Sequence, residues 1–380
     1  MRSLTRFIAA SDLVQVAVGW GALGVLLLAA PLLRPPAPAP LLVVALVIIV
    51  AVILVCAFGV VTQAEALARR LGDPYGSLVL TLSIVMIEVV LISAVMLGPG
   101  EHTTIARDSV MAVSMIILNL VVGLALLLGG IRYRGMTHNR TGTSAYLGML
   151  VVLIALAFGL PAAIGDGGAF TISQAIAVVA VTVVLYGFFL YRQMGAQAGD
   201  FTEVDPSLAH STALAAEADG DSIRDILRAH RIEILTRLIL LITTAVPIVL
   251  LSHDMAALLD DGLGRLGAPP ALAGVLIAAI VFLPESITAI RAALGREVQR
   301  VINLCHGALV STVGLTIPAV LLIGMATGQR VVLAETPANL LLLAATLLLS
   351  VATFAAKRVN AMQGAAHLAL FAAYTIVLFA

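Results

Sequence analysis

Charge is what this chain has least of. Only 11% of its 380 residues are charged, and 61% are apolar, where a soluble domain carries roughly 25% charged residues. That composition leaves little room for a water-soluble fold. The formal net charge is zero and aromatic residues make up 5%. With no basic tract and no cluster of stacking rings, nucleic acid is excluded as a partner. The two cysteines, Cys56 and Cys305, both lie in apolar runs, so neither a disulfide framework nor a zinc site is implied. His-Glu-x-x-His and Gly-x-Ser-x-Gly are absent, and no aspartate falls at mid-span depth. Ser252, His253 and Asp254 are consecutive and cannot form a triad with one another. A hydrolase is thereby disfavoured, and no cofactor is called for.

What the chain does have is long uncharged runs: 13–33, 35–64, 109–131, 141–165, 167–191, 301–329, 336–356 and 359–380. Crossing the hydrocarbon takes about 20 residues of helix. Two more runs, 74–100 and 266–290, are interrupted only by Glu88 and Glu285. A shorter one after Glu233 suffices if Arg237 snorkels to the interface. The fold class expected is therefore an all-α polytopic membrane protein embedded in the lipid bilayer. Eleven transmembrane helices are predicted near 13–33, 41–66, 74–98, 108–131, 143–164, 168–191, 233–252, 270–292, 300–326, 336–356 and 359–379. The first run exceeds the usual apolar core of a signal peptide, about 7–15 residues, and reads as a retained helix.

The basic residues orient these spans. With the N-terminus cytosolic, 17 of the 21 Lys and Arg fall on the inside and only Arg34, Arg107, Arg265 and Arg330 fall outside. That asymmetry is the positive-inside pattern and places the C-terminus outside.

Residues 193–230 are the one long polar stretch, acidic at Asp200, Glu203, Asp205, Glu217, Asp219, Asp221 and Asp225. They read as a solvated linker, or more sharply as a surface that gathers cations. Ser222-Ile-Arg-Asp225 suggests a capping box opening an interfacial helix. The organisation expected is an N-terminal extra helix (1–40), a first repeat (41–192), the linker and a second repeat (231–380). Five spans per repeat, an odd number, invert the second copy relative to the first. Leu71-Gly-Asp-Pro74 precedes Glu88, and Leu266-Gly-Ala-Pro269 precedes Glu285, a faint echo of duplication.

A carboxylate at membrane depth costs about 2.5–3.5 kcal/mol on insertion scales and marks ion or proton pathways. Glu88 and Glu285, one in each half, are the primary candidates for cation and proton binding. Ser77, Thr81 and Glu88 fall on one helical face and offer hard oxygen ligands. Pro284, directly before Glu285, removes a backbone donor and disturbs the carbonyl one turn earlier. Further candidates are Asn119, Asn303, His306, Ser311 and Thr316, with Pro318 as a second source of a freed carbonyl. The bland alternative for each is helix-packing glue or a bond back to its own helix.

Taken together, Leu71-Gly-Asp-Pro-Tyr-Gly-Ser-Leu-Val-Leu-Thr with Glu88, Phe282-Leu-Pro-Glu285, and Gly314-Leu-Thr-Ile-Pro318 resemble the cation/calcium exchanger superfamily. The bacterial calcium/proton antiporter branch is the most similar. The resemblance covers roughly 41–380 and implies a sodium/calcium exchanger-like fold in a bacterial inner membrane. It also implies a metal-binding site supplied by Glu88 and Glu285, and exchange of calcium, with sodium or potassium as further substrates, for protons. Many relatives carry Gly-Asn shortly before each glutamate; here Ile84–Ile87 and Val281–Pro284 hold no asparagine. A sodium or potassium/proton antiporter and a cation channel are the alternative readings.

The orientation is open to direct test. In a background lacking Cys56 and Cys305, Ala213→Cys is expected to resist an impermeant thiol reagent applied from the periplasm, and Ala380→Cys to react. Labelling of Ala213→Cys from that side would refute the topology.

Overall fold

The computed structural model describes residues 8–33, 38–71, 82–83, 85–86, 88–90, 92–93, 96, 103–204, 228–269 and 271–379. Among these residues it is helical throughout, with isolated β-bridges but no strand. The helices are α1 (Ala10–Leu33), α2 (Ala39–Leu71), α3 (Ile105–Tyr133), α4 (Arg140–Ile164), α5 (Ile172–Met194), α6 (Arg231–Arg265), α7 (Ala271–Val281), α8 (Leu283–Leu294), α9 (Val298–Thr327), α10 (Pro337–Ala355) and α11 (Ala361–Leu378). Nine of them are long and apolar enough to cross a membrane among the described residues, and α7 with α8 makes one further, bent span. Their positions match ten of the predicted spans. Of the third, 74–98, only ten residues are described, and all ten are helical.

Two boundaries differ from expectation. The sequence predicts the seventh span at 233–252, but α6 runs on to Arg265. Charged residues need not end a helix once it leaves hydrocarbon, and Arg265 Nε donates to Asp261 Oδ1 at 3.0 Å one turn back, an i,i+4 pair that supports the extension. The sequence predicts a linker from 193, whereas α5 continues to Met194 and a 3₁₀ turn follows at Ala198–Phe201. The proposed cap at Ser222–Asp225 lies outside the described residues.

The chain divides into two compact units, each taking pieces from both halves of the sequence: Met1–Val95 with Ala216–Pro284, and Met96–Ala215 with Glu285–Ala380. In the first unit α2 and α6 pack along their length, with α1 against both. Pro247 sits inside α6 and has no N–H to give the Thr243 carbonyl four residues back. The lone tryptophan repairs this, since Trp20 Nε1 on α1 donates to that carbonyl at 3.0 Å. At one end of the pair, Glu233 is buried at 3% exposure. It receives Arg70 at 2.8 Å and Arg237 at 3.1 Å, and Arg237 also reaches Gln63 Oε1 at 3.3 Å. The two guanidiniums offset the cost of burying that carboxylate.

The second unit is built around α3 and α9, the two most enclosed helices. α9 packs on α3, α4 and α5, while α11 lies along α3. The last contact depends on glycine. A Cβ at Gly364 would fall on the Leu127 amide nitrogen and Gly123 carbonyl, and one at Gly130 on the backbone of Asn360 and Ala361. Small residues let membrane helices approach backbone to backbone. Ends are secured by capping boxes at Thr171/Gln174 and Asn360/Gln363, each pairing two backbone N–H groups that lack helical partners. α3 and α4 each contain a π-helical segment, at Ile116–Val121 and Ala155–Gly159, a distortion frequent at functional sites.

Because backbone and not a movable side chain opposes Gly364, Gly364→Ala is expected to cost about 1–3 kcal/mol by overpacking. Thermal unfolding in detergent checks this: a midpoint equal to wild type would refute the close-packing account.

Candidate functional site

Glu88 is one of the ten described residues between 82 and 96, all of them helical, and is 4% exposed. Val85, Ile92 and Met96 are buried with it, whereas Met86 and Val90 are exposed. Positions 85, 88, 92 and 96 share one face at helical spacing, so the carboxylate sits on the stripe that faces protein. Ser93, one turn on, donates back to the Val89 carbonyl at 2.6 Å, as hydroxyls in such helices commonly do. Ser77 and Thr81, predicted to share the Glu88 face, lie outside the described residues.

Glu285 is the third residue of α8. α7 and α8 are bent by 55° at Phe282, itself 2% exposed. Pro284 is the second residue of α8 rather than an interruption within a helix. Proline is tolerated there because first-turn N–H groups lack helical partners in any case. The apolar run of the span therefore starts a new half-helix at the proline, with Glu285 in its first turn. A carboxylate at that end meets the positive pole of the helix dipole. Glu285 is half-buried, and its Oε2 has no hydrogen-bond partner among the described residues. The unused oxygen leaves ligand capacity for a cation or a proton.

The remaining candidates lie in the second unit, and their surroundings differ. Asn119 sits in the π-helical segment of α3 and is fully buried. Its Nδ2 donates to Thr346 Oγ1 on α10 at 2.8 Å, and its Oδ1 lies 3.2 Å from Nδ1 of His367 on α11. His367 Nε2 is 3.4 Å from Thr353 Oγ1. Since the amide oxygen can only accept, the arrangement assigns the ring proton to Nδ1 and the hydroxyl proton of Thr353 to Nε2. Both ends of the Asn119 amide are thus engaged in tying three helices together. Ser311 on α9 takes the Tyr186 hydroxyl at 2.9 Å. Asn303 donates to the Phe201 carbonyl at 2.7 Å and accepts from Gln299 at 3.0 Å, so its contacts run to the start of the linker.

His306, fully buried on α9, packs edge-on against the Phe354 ring at 5.2 Å. Neither ring nitrogen has a hydrogen-bond partner among the described residues; the Ile302 carbonyl one turn back is close without meeting bonding geometry. Thr316 is likewise buried with Oγ1 unpartnered among the described residues. α9 is continuous through Pro318, which leaves the Gly314 carbonyl without its helical donor. Phe354 also carries His138 edge-on at 5.4 Å and accepts its Nε2 at 3.1 Å. His138 lies in the loop before α4, where burial and then Arg140 lower its proton affinity, while the Phe354 bond opposes them. Sequence reasoning passed over His367, although an ionisable residue in the last apolar span was a visible signal. The linker contacts left no such signal. Among the described residues no group of three or more His, Cys, Asp or Glu could hold a metal ion.

The sequence profile of the sodium/calcium exchanger protein family matches residues 41–195 and 236–380. Sodium-potassium/proton antiporter ChaA of Escherichia coli (strain K12) is 35% identical over 333 residues, 86% of this chain and 87% of that protein. The protein y4hA of Sinorhizobium fredii is 35% identical over 323 residues, 84% of each chain. Among solved structures, native YfkE is 20% identical with a TM-score of 0.71, covering 97% of this chain and 99% of that one. The H+/Ca2+ exchanger CAX is 15% identical with a TM-score of 0.69, covering 96% and 87%. At those identities the solved structures bear on the fold alone.

Asn119→Ala would strand Thr346 and His367, at about 1–3 kcal/mol for unsatisfied buried groups. The expected outcome is a lowered unfolding midpoint with little change in apparent cation affinity. A large affinity loss in a variant of normal stability would make Asn119 a ligand instead.

Proposed function

The chain belongs to the sodium/calcium exchanger protein family, and from that premise we propose that it is an antiporter moving a cytosolic cation out in exchange for protons, with Glu88 and Glu285 as the ion-binding carboxylates. What carries the reading is a buried carboxylate at Glu88, on the protein-facing stripe of an apolar helix, in a chain 35% identical over most of its length to an antiporter. Burial of an ion without purpose is too costly to be incidental.

Two carboxylates hold a charge of −2 that one divalent cation or two protons neutralise. Carrying the empty, doubly charged site past a low-dielectric barrier is prohibitive, whereas the neutralised site can switch sides; that difference couples cation flux to proton flux. Calcium takes 6–8 oxygens, so carbonyls, hydroxyls or water must complete its shell. The stretches before both glutamates lack the asparagines common in relatives. Fewer fixed oxygens discriminate poorly by size, which supports calcium transport together with sodium or potassium. A second reading, sodium or potassium in place of calcium, is favoured by the name of the Escherichia coli relative. The proposed setting is a bacterial inner membrane with the N-terminus cytosolic, an extra helix at 1–40, and inverted repeats at 41–192 and 231–380 joined by the acidic linker. Ser77, Thr81, Pro284, His306 and Ser311 remain proposed contributors to the ion path.

Glu88→Gln and Glu285→Gln keep side-chain shape but hold neither charge nor titrating proton. Each is expected to abolish cation-driven proton flux in proteoliposomes while the protein stays folded. Flux should rise with cytosolic-side pH, because the cation loads only after the glutamates release protons. Calcium, sodium and potassium supplied separately distinguish the two readings, and proton release with none of them would end both.

A further inference from the structure

Three buried histidines belong to the second unit: His138 in the loop before α4, His306 on α9 and His367 on α11. The loops before α4 and before α11 pair with each other, Met136 and Val359 exchanging backbone bonds at 2.9 Å. His138 therefore sits at the end of the unit where α11 begins. The basic residues assign that end to the cytosol. At about 1.5 Å per residue, His367 lies about 9 Å into α11 and His306 about 12 Å into α9.

Phe354, near the end of α10, joins the first two rings. Its carbonyl accepts His138 Nε2 at 3.1 Å, and both His138 and His306 pack edge-on against its ring. A carbonyl only accepts, so the His138 proton is on Nε2, and Nδ1, buried and unpartnered among the described residues, is a bare acceptor. His306 in turn lies within electrostatic reach of both His138 and His367. Thr346, Ser350 and Thr353 line one face of α10 at helical spacing and are at most 1% exposed. Thr353 meets His367, Thr346 meets Asn119, and the Ser350 hydroxyl between them is unpartnered among the described residues.

Packing accounts for His367, which is bonded through both nitrogens. It does not account for His306. With neither nitrogen bonded among the described residues, that ring fastens nothing, and leucine would fill the space without burying unpaired polar atoms. No three His, Cys, Asp or Glu among the described residues are placed to hold a metal ion, which leaves the proton as the ligand these rings take. Ionisable chains at membrane depth are the usual form of a proton route.

We infer that His138, His306 and His367 form a proton relay through the cytosolic half of the unit that also holds Glu285, the route by which protons exchanged for the cation reach the cytosol. The relay presupposes the antiporter reading above and gives its protons a path: the carboxylates bind, the imidazoles conduct. Each ring accepts a proton on one nitrogen as it releases one from the other, so an N–H bond forms for every one broken. His306 suits the middle place, because no hydrogen bond holds its ring in one orientation while its neighbours are fixed. A proton on one ring repels a proton on the next, so charges pass singly. At the cytosolic end burial lowers the proton affinity of His138 and Arg140 adds to this, opposed by the Phe354 bond. That ring is neutral at cytosolic pH and hands its proton on. The other titratable neighbours stay neutral phenols and a thiol: Tyr146 on α4, Tyr186 on α5, Cys305 on α9 and Tyr374 on α11. Lys357 and Arg358 are exposed.

Cation-driven proton flux in proteoliposomes, with calcium, sodium and potassium supplied separately, tests the relay against equilibrium dialysis of the same ions. His306→Leu is expected to lower flux about tenfold or more, with ion affinity unchanged and the unfolding midpoint at or above that of wild type. His138→Ala should also be slow, and added imidazole, which carries protons but fastens no helix, should restore it. Wild-type flux in a folded His306→Leu protein overturns the relay, and lost ion binding there overturns it by making His306 a cation ligand. Should His306→Leu fail to fold, His138→Ala decides: undiminished flux, or a loss that imidazole does not restore, refutes the route. A wild type that exchanges none of the three ions for protons overturns the antiporter reading before any variant is compared.

Discussion

In hydrocarbon no water completes a broken hydrogen bond, so every backbone amide and carbonyl must find its partner inside the protein. The departures from regular helix in this chain follow from that constraint. Pro247 deprives the Thr243 carbonyl of its donor, and the only tryptophan, on another helix, supplies one. Pro284 stands in the first turn of α8, where its missing N–H costs nothing. Pro318 stays within a continuous α9 and leaves the Gly314 carbonyl open on the helix that also holds His306 and Thr316.

The same constraint shapes how the helices meet. Lipid tails are as apolar as leucine, so burial alone does not drive helices together; close backbone approach and polar pairs do. α3 and α11 use both devices. Gly123, Gly130 and Gly364 remove the side chains that would hold them apart, and Asn119, His367 and Thr346 join them to α10. The polar groups in that knot bond to one another across three helices. Glu88 has an apolar buried face around it, and Glu285 has the start of a half-helix. Glu233 marks the contrast, a buried carboxylate answered by two arginines and so fit for holding α2 to α6.

Where charge sits in the described structure thus sorts by role. Paired acids at helix ends fasten elements together, whereas the mid-span acids of the two halves have no arginine beside them in the sequence. Glu203 belongs to neither class. It caps α9 from outside that helix, its Oε2 accepting the Gln299 amide.

Much of the architecture was legible in residue order. An uncharged run of about 20 residues is a helix across a bilayer almost irrespective of its neighbours, because the membrane imposes the same demand on each run separately. Glu88 and Glu285 stood out for the same reason. Tertiary structure decided the rest. That Asn119 serves three helices depends on partners 227 and 248 residues away; and that Asn303 meets Phe201 and Gln299 meets Glu203 depends on the chain folding back after α5. These pairings join residues remote in sequence through short polar contacts, and a hydroxyl, amide or carboxylate reads the same in a linear chain whichever partner it will meet. Hydrophobicity acts residue by residue and survives in sequence, while hydrogen-bond partnership exists only once the helices are packed.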